Sequence, residues 1–294
     1  MIFARSKTCA TLDSPMPSNQ RMRISRLNPI RLIWLVLLAV PVAGPQASAV
    51  SQQQSTAVAG SPDDAARRPV LVELFTSEGC SSCPPADALL ARLDANQFVD
   101  GARAIVLSEH VTYWDQQGWR DPYSLDIVTY RQQDYADHFG LGSPSTPQLV
   151  VDGTAQLLGS NERGLTAAIA KAALSPKQEL TISNAQLSGD TVHFAVHSAA
   201  APRAMLVTVL AEDETHSVVS SGENAGRTLH HVAVTRVLKK MDAGFADGRP
   251  LTLKLPGPNK SKSPGTAVPL RLIVFLADKH SGQVIAVGEE TITR

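Results

Sequence analysis

The feature that most constrains this chain is a pair of cysteines, Cys80 and Cys83, held between a strand pattern and a helix pattern. The apolar run at residues 70–75 predicts a buried strand, and leucines at helical spacing predict an amphipathic helix over residues 86–96. Unpaired amides and the helix dipole at a helix N-terminus stabilise a thiolate. The spacing therefore predicts a redox-active pair in which Cys80 attacks and Cys83 resolves the mixed disulfide.

The N-terminal residues have the order of a secretory signal peptide, which we assign to residues 1–49. A block of arginines ends at Arg31, an apolar run covers residues 32–40, and Ala-Ser-Ala at 47–49 offers small residues to a signal peptidase. The apolar run is shorter than the roughly 20 residues of a membrane span, and an uncleaved anchor is the alternative interpretation. We therefore expect a secreted or periplasmic protein with no stable membrane span after cleavage, and residues 50–68 as a flexible linker.

Cysteine usage agrees with export. Of the three cysteines, Cys9 precedes the expected cleavage point, so the mature chain keeps only Cys80 and Cys83. Disulfides persist outside the cytoplasm. The 27 basic and 27 acidic side chains give a formal net charge of zero, so no nucleic-acid partner is expected. We predict no metal site and no cofactor, and interpret His193 and His197 as solvated surface side chains.

The pattern of elements changes near Pro176. Residues 69–176 alternate strand and helix patterns, which predicts an α/β domain with a parallel first half. Residues 177–294 read as short strands separated by Gly, Pro, Asn and Asp, which is typical of an antiparallel sandwich. The fold class expected is an α/β thioredoxin-like domain followed by an all-β antiparallel sandwich domain.

Further candidate site residues precede and follow the cysteines. Thr146 and Pro147 come before the third strand pattern, where an X-Pro bond is either cis and facing the thiols or an ordinary trans bond. A cis proline there leaves neighbouring backbone free to pair with a substrate strand. Glu73 lies on the first strand and is either a buried proton relay or a solvent-facing carboxylate. Glu78 is expected to be exposed.

An aromatic segment at residues 110–123 follows the second strand pattern. His110, Tyr113, Trp114 and Trp119 fall in it, at the strand end where open α/β sheets bind ligands. The segment is interpreted as one wall of a substrate groove, with a small packed insert as the alternative. A second polar run, at residues 223–231, has no chemical role that the sequence reveals.

Several segments together resemble one family. Residues 72–87, 110–123, 145–153 and 222–227 are similar to DUF1223, a family of uncharacterised secreted proteins, and residues 71–174 resemble the thioredoxin-like superfamily. The resemblance implies a thioredoxin-like fold and brings no established reaction. Carried over onto this sequence, it implies that Cys80 attacks, Cys83 resolves and Pro147 is cis.

The sequence thus predicts an exported thiol-disulfide oxidoreductase whose partners are protein thiols and disulfides. One alternative is a Cu(I)-handling chaperone, in which His110 is the available third ligand beside the thiolates. Another is a non-enzymatic binding module whose disulfide is structural. The oligomeric state does not follow from the sequence.

Overall fold

A computed structural model describes residues 67–242, 247–257 and 268–293. The predicted signal peptide, nearly all of the predicted linker and Cys9 lie outside the described residues. Of the described residues, 45% are in strands and 18% in helices. None of the helices in this part of the chain is long and apolar enough to cross a membrane.

The described residues form two kinds of element, named here in chain order. The helices are α1 (Pro84–Asn96), α2 (Asp126–His138) and α3 (Glu162–Ala173). The strands are β1 (Arg68–Thr76), β2 (Ala102–His110), β3 (Gln148–Val151), β4 (Ala155–Leu158), β5 (Leu180–Ser188), β6 (Thr191–Ser198), β7 (Ala204–Val218), β8 (Thr228–Asp242), β9 (Pro250–Lys254), β10 (Leu270–Asp278) and β11 (Val284–Ile292).

Most strands belong to one mixed sheet of eight, in the order β11-β10-β7-β8-β2-β1-β3-β4. β1 and β2 are parallel, and β2 meets β8 in parallel where Ser108 lies opposite Val234. The other pairs in this sheet are antiparallel. Strands from both ends of the chain therefore share one sheet, and the long β7–β8 hairpin, of 15 residues in each strand, joins them.

A second sheet of three antiparallel strands, in the order β5-β6-β9, covers part of the large one. Val192, Phe194 and Val196 alternate along β6 and pack with Leu206 of β7 and Leu272 of β10. Burying this apolar area at about 25 cal/mol per Å² is what holds the two layers together.

The helices lie on both faces of the N-terminal strands. Leu74 packs in the main core with residues of α1 and α3, whereas the neighbouring Glu73 binds Arg131 and Tyr135 of α2. Because successive side chains of a strand point to opposite faces, α1 and α2 lie on opposite faces of β1. The cysteines precede α1, so the functional site belongs to the α1 face.

The predicted fold class is wrong. The chain is mostly β, with a large mixed eight-stranded sheet and a three-stranded sheet, and is not an α/β thioredoxin-like fold followed by an antiparallel sandwich. The physical reason is the pairing of β2 with β8, which merges the strands of the two halves into one sheet. Sequence periodicity identifies strands but carries little information about such distant neighbours.

Candidate functional site

The two cysteines form a disulfide in a tight turn after β1, at residues 77–83, which we call the cysteine turn. Cys80 and Cys83 are bonded, with their Cα atoms 5.4 Å apart. Successive backbone bonds, from Cys80 N to Ser77 O (3.1 Å) and from Cys83 N to Cys80 O (3.2 Å), fix the turn. Ser81 is exposed at its tip, but both cysteines are fully buried.

Helix α1 begins directly after the disulfide. Pro84 and Pro85 occupy its first two positions, where proline is tolerated because those amides have no intrahelical partner. The next two amides, of Ala86 and Asp87, both donate to Cys83 O, at 2.8 and 3.1 Å. The cysteine turn therefore leads into the helix without a break.

The predicted proline loop lies beside this helix start. The Thr146–Pro147 peptide is cis, as one of the two alternatives predicted. A Cβ on Gly159 would come within 2.6 Å of Pro147 Cβ and 2.9 Å of Ala86 Cβ, so the proline and the first turn of α1 both pack against this glycine. Trp114 Nε1 donates to Thr146 Oγ1 (2.8 Å), which ties the loop to the aromatic segment.

The tip of the β7–β8 hairpin covers the cysteine turn, and we call residues 219–227 the cap loop. Asn224, almost fully buried, donates from Nδ2 to Glu78 O (2.8 Å) and to Cys80 O (3.0 Å). The amide of Ser81 donates to Glu223 Oε2 (3.1 Å). The backbone on both sides of Cys80 is therefore held by residues from the other half of the chain.

Beneath the turn lies a buried group of ionisable side chains, which we call the carboxylate–histidine cluster. Its members are Glu78, Asp87, His110, Asp121 and His231, each at most 5% exposed. His231 places Nε2 at 3.4 Å from Glu78 Oε1 and Nδ1 at 3.6 Å from Asp87 Oδ1. The rings of His110 and His231 meet edge to face, with centroids 4.6 Å apart.

The ionisable groups in this cluster shift one another's pKa values. Burial alone would lower the pKa of His231, but Asp87 and then Glu78 outweigh it and raise that pKa to about 10, so the ring is an imidazolium at neutral pH. Burial alone would raise the pKa of Asp121. His110, which shares a 2.7 Å hydrogen bond with it, and the amides of Glu78 and Tyr123 outweigh this and lower the pKa of Asp121.

Asp87 has the most unusual environment of the five. It lies one helical turn after Cys83, on the same side of α1. Both of its carboxylate oxygens are buried, and neither accepts a hydrogen bond from a described residue. The oppositely charged side chain that faces Asp87 is His231.

Glu73 is buried, but on the other face of β1 from the cysteines. Arg131 Nε donates to Glu73 Oε1 and Tyr135 Oη to Oε2, each at 2.6 Å. Glu109 lies in the same group, 3.9 Å from Arg131, and burial followed by the Glu73 charge raises its pKa. The structure therefore does not bring Glu73 together with the thiols.

Side chains of the aromatic segment form hydrogen bonds with residues elsewhere in the chain. Trp119 Nε1 donates to Glu78 Oε2 (2.8 Å), and Tyr113 Oη donates to Gln132 Oε1 (3.2 Å). Trp114 and Trp119 are half-buried and Tyr113 is exposed, whereas His110 is buried beneath them. An open cleft of about 550 Å³ beside the segment is lined by polar side chains that include Asp115.

Five contributors to the site were missed in the sequence, among them Asp121, which lies within the aromatic segment. Glu78 is fully buried, and its predicted exposure is wrong. Asp87 looked like an ordinary helix residue. Asn224 and His231 lie in the polar run at residues 223–231, whose composition was the available signal. Within the described residues, no group of three or more His, Cys, Asp or Glu side chains could hold a metal ion.

The fold and the site together define a class: a mixed β protein with a buried Cys-x-x-Cys disulfide at the start of a helix, capped by a hairpin from the other half of the chain. The chain belongs to the family described as protein of unknown function (DUF1223), whose model matches residues 71–275. This confirms the family seen in the sequence. Membership of the thioredoxin-like superfamily is not confirmed.

One solved structure supports the fold alone. A crystal structure of a protein from Agrobacterium tumefaciens is similar at 24% identity, with a TM-score of 0.52, over 75% of this chain and 93% of that one. A Bacteroides uniformis beta-glucuronidase matches at 13% identity and a TM-score of 0.18, over 39% of this chain and 13% of that one, and carries no argument. No curated protein matches the sequence.

Proposed function

We propose that this protein is an exported thiol-disulfide oxidoreductase that exchanges electrons with protein thiols and disulfides through Cys80 and Cys83. The observation that carries the proposal is the disulfide between residues only three apart at the start of α1. Closing so short a loop removes little entropy from the unfolded chain, so the bond contributes less to stability than a disulfide between distant segments. A reversible bond that adds little to the fold is suited to exchange.

The surroundings support the same proposal. Ser81 and Ser82 are exposed between the cysteines. The half-buried Trp114 lies against Gly79, and Trp119 donates to Glu78, so both tryptophans contact the cysteine turn. Cys80 precedes the helix and its partner is the helix N-cap, so attack at Cys80 leaves Cys83 as the resolving thiol. Both cysteines are buried, so exchange requires the turn to become accessible. The cap loop binds the backbone of the turn, and it is the element we expect to open.

The test is exchange with a disulfide-bonded peptide that becomes fluorescent when it is reduced, with a dithiol as electron source. The wild-type chain is expected to accelerate the reaction. Cys80→Ser is expected to abolish the acceleration, and Cys83→Ser to trap a mixed disulfide that gel electrophoresis detects. Ser81→Ala, in the same turn, is the matched control and retains activity.

The same purified protein can be used to test the two alternative functions, the copper chaperone and the binding module. Reduced protein that binds Cu(I) tightly at one equivalent, without accelerating exchange, would support the copper chaperone. The binding module would be supported by two results together: the disulfide does not react with the peptide, and the Cys80→Ser variant still binds a partner protein. The full burial of both cysteines is the observation that favours this last function.

A further inference from the structure

We infer that the Cys80–Cys83 pair is an electron donor that reduces protein disulfides, because the cysteine turn opposes negative charge on either sulfur. This inference rests on the proposed function and adds the direction in which electrons flow. It stands on three observations: most amides of the turn are already bonded, the buried ionisable groups in and beside the turn are mainly acidic, and the residues that supply them come from both halves of the chain.

The start of α1 offers few free amides to a thiolate. Pro84 and Pro85 carry no N–H, and the amides of Ala86 and Asp87 both donate to Cys83 O. A helix N-terminus stabilises an anion through its unbonded amides and its dipole. Here the first two donors are missing and the amide of Ala86, the next one, is engaged, so this stabilisation is weakened.

The amides of the cysteine turn are engaged in the same way. Gly79 N donates to Ser77 Oγ (3.1 Å) and Cys80 N to Ser77 O (3.1 Å). Ser81 N donates to the carboxylate of Glu223 (3.1 Å). The hydroxyl of Ser82, 3.4 Å from Cys80 Sγ, makes the one polar contact to a sulfur among the described residues.

The buried charges next to the turn are mainly negative. Glu78 is two residues before Cys80, and Asp87 is one helical turn after Cys83. His231 is the basic side chain that faces both carboxyl groups, at 3.4 and 3.6 Å. Acidic side chains therefore outnumber basic ones beside the turn, in a region of low dielectric where charges interact far more strongly than in water.

The remaining charged groups around the turn do not reverse this balance. His110 and Asp121 are paired with each other. At the surface, Glu223 is exposed and adds a further carboxylate, while Arg227 binds Asn224 Oδ1 (2.8 Å). A thiolate formed on Cys80 or Cys83 thus meets more negative than positive charge.

An acidic environment shifts the equilibrium toward the disulfide. A dithiol pair is a strong oxidant when its reduced form is stabilised, mostly through the thiolate. Here the acidic surroundings destabilise a thiolate, whereas the disulfide carries no charge and is not destabilised. Electrons therefore leave the pair readily, and the substrate that accepts them is a protein disulfide rather than a protein dithiol.

The reaction balances as two exchanges. Cys80 thiolate attacks a client disulfide, forming a mixed disulfide and releasing one client thiolate, which takes up a proton from water. Cys83 then loses its proton to water and attacks Cys80 Sγ, which breaks the mixed disulfide and releases the second client thiolate, and this thiolate also takes up a proton from water. The client gains two electrons and two protons, and a dithiol donor reduces the Cys80–Cys83 bond again.

The experiment measures the equilibrium between the purified chain and glutathione, read as the fraction of alkylated cysteines by mass spectrometry. Reduced wild-type protein is expected to pass its electrons almost completely to oxidised glutathione. Asp87→Asn and Glu78→Gln are each expected to shift the equilibrium constant about tenfold toward the reduced protein, which corresponds to about 30 mV. Glu109→Gln, a buried carboxyl on the other face of the sheet, is the matched control and leaves the constant unchanged.

The outcomes distinguish this inference from the proposed function. Catalysed exchange by a pair that stays largely reduced against oxidised glutathione would overturn the electron-donor assignment and leave the oxidoreductase in place. A constant that responds to neither acidic substitution, or equally to Glu109→Gln, would also overturn it. A strongly favoured disulfide that responds as expected but catalyses nothing would support the electrostatic assignment and reject the proposed function. Because Asp87→Asn and Glu78→Gln are measured separately, the test can still be made if one of them does not fold.

Discussion

The ring nitrogen Nδ1 of His231 lies 3.6 Å from Oδ1 of Asp87, although β8 and α1 come from opposite halves of the chain. The same ring faces Glu78 in the cysteine turn. One imidazolium therefore joins the β7–β8 hairpin, helix α1 and the turn that holds the disulfide. Because it is buried and charged, its contribution to folding depends on pH.

Stability is expected to fall as the pH rises from neutral to alkaline. The pKa of His231 is raised from 6.5 to about 10 in the folded protein, so between these values the folded state holds a proton that the unfolded state has lost. The contribution is complete below about pH 6.5 and is lost as the pH passes 10. Urea unfolding at pH 6, 8 and 10 should show a decline of up to about 1.4 kcal/mol per pH unit.

His231→Gln tests the origin of that decline. This variant removes the titrating group, so its free energy of unfolding should vary less over the same range. His230→Gln changes the exposed neighbouring histidine and should keep the wild-type slope. Equal slopes in all three proteins would show that another group titrates.

Asn224→Ala is expected to loosen the cap loop and expose the disulfide. The substitution removes the side-chain donor to Glu78 O and to Cys80 O; the second carbonyl keeps its bond from Cys83 N. A buried carbonyl left without its donor costs about 1–3 kcal/mol. Urea unfolding should show a loss of this size, and a phosphine reductant should reduce the disulfide at least several-fold faster.

Asn161→Ala is the control for this change. Asn161 caps α3 by accepting from Gly164 N, far along the chain from the cysteine turn. Loss of such a cap costs about 0.5–2 kcal/mol. A faster reduction of the disulfide in this variant as well would mean that general destabilisation, rather than the cap loop, controls access.

Local patterns in the sequence predicted the elements around the site well. The apolar run at residues 70–75 lies within β1. The helical spacing of residues 86–96 lies within α1. These predictions succeed because alternation and helical spacing depend on neighbours in the sequence.

The arrangement of those elements in the fold could not be predicted from local sequence patterns. β7 is not a short strand but runs over 15 residues to Val218, and this length carries the cap loop to the cysteine turn. Glu73 was the carboxylate predicted to act as a proton relay, but β1 directs it toward α2, whereas Asp87 of α1 faces His231. Both outcomes depend on contacts between residues far apart in sequence, which no local pattern encodes.

Gly159→Ala is expected to destabilise the protein by disturbing the contact between the proline loop and α1. The added Cβ would lie 2.6 Å from Pro147 and 2.9 Å from Ala86, closer than any packing allows. Overpacking of this kind typically costs about 1–3 kcal/mol. Gly142→Ala, where nothing lies within 4 Å of the new atom, should leave the unfolding midpoint unchanged.

Arg131→Met is expected to destabilise the fold strongly and leave thiol-disulfide exchange unaffected. Glu73 would lose its ion-pair partner in a buried site, and removing one partner of such a pair costs about 3–5 kcal/mol. Arg92→Met breaks the exposed pair with Glu162, which is worth at most about 1 kcal/mol. Urea unfolding compares the two losses, and the fluorescent peptide assay follows exchange under conditions where both variants are folded. Because Arg131 lies on the α2 face and the cysteines on the α1 face, a loss of exchange in folded Arg131→Met would contradict the separation of the two faces.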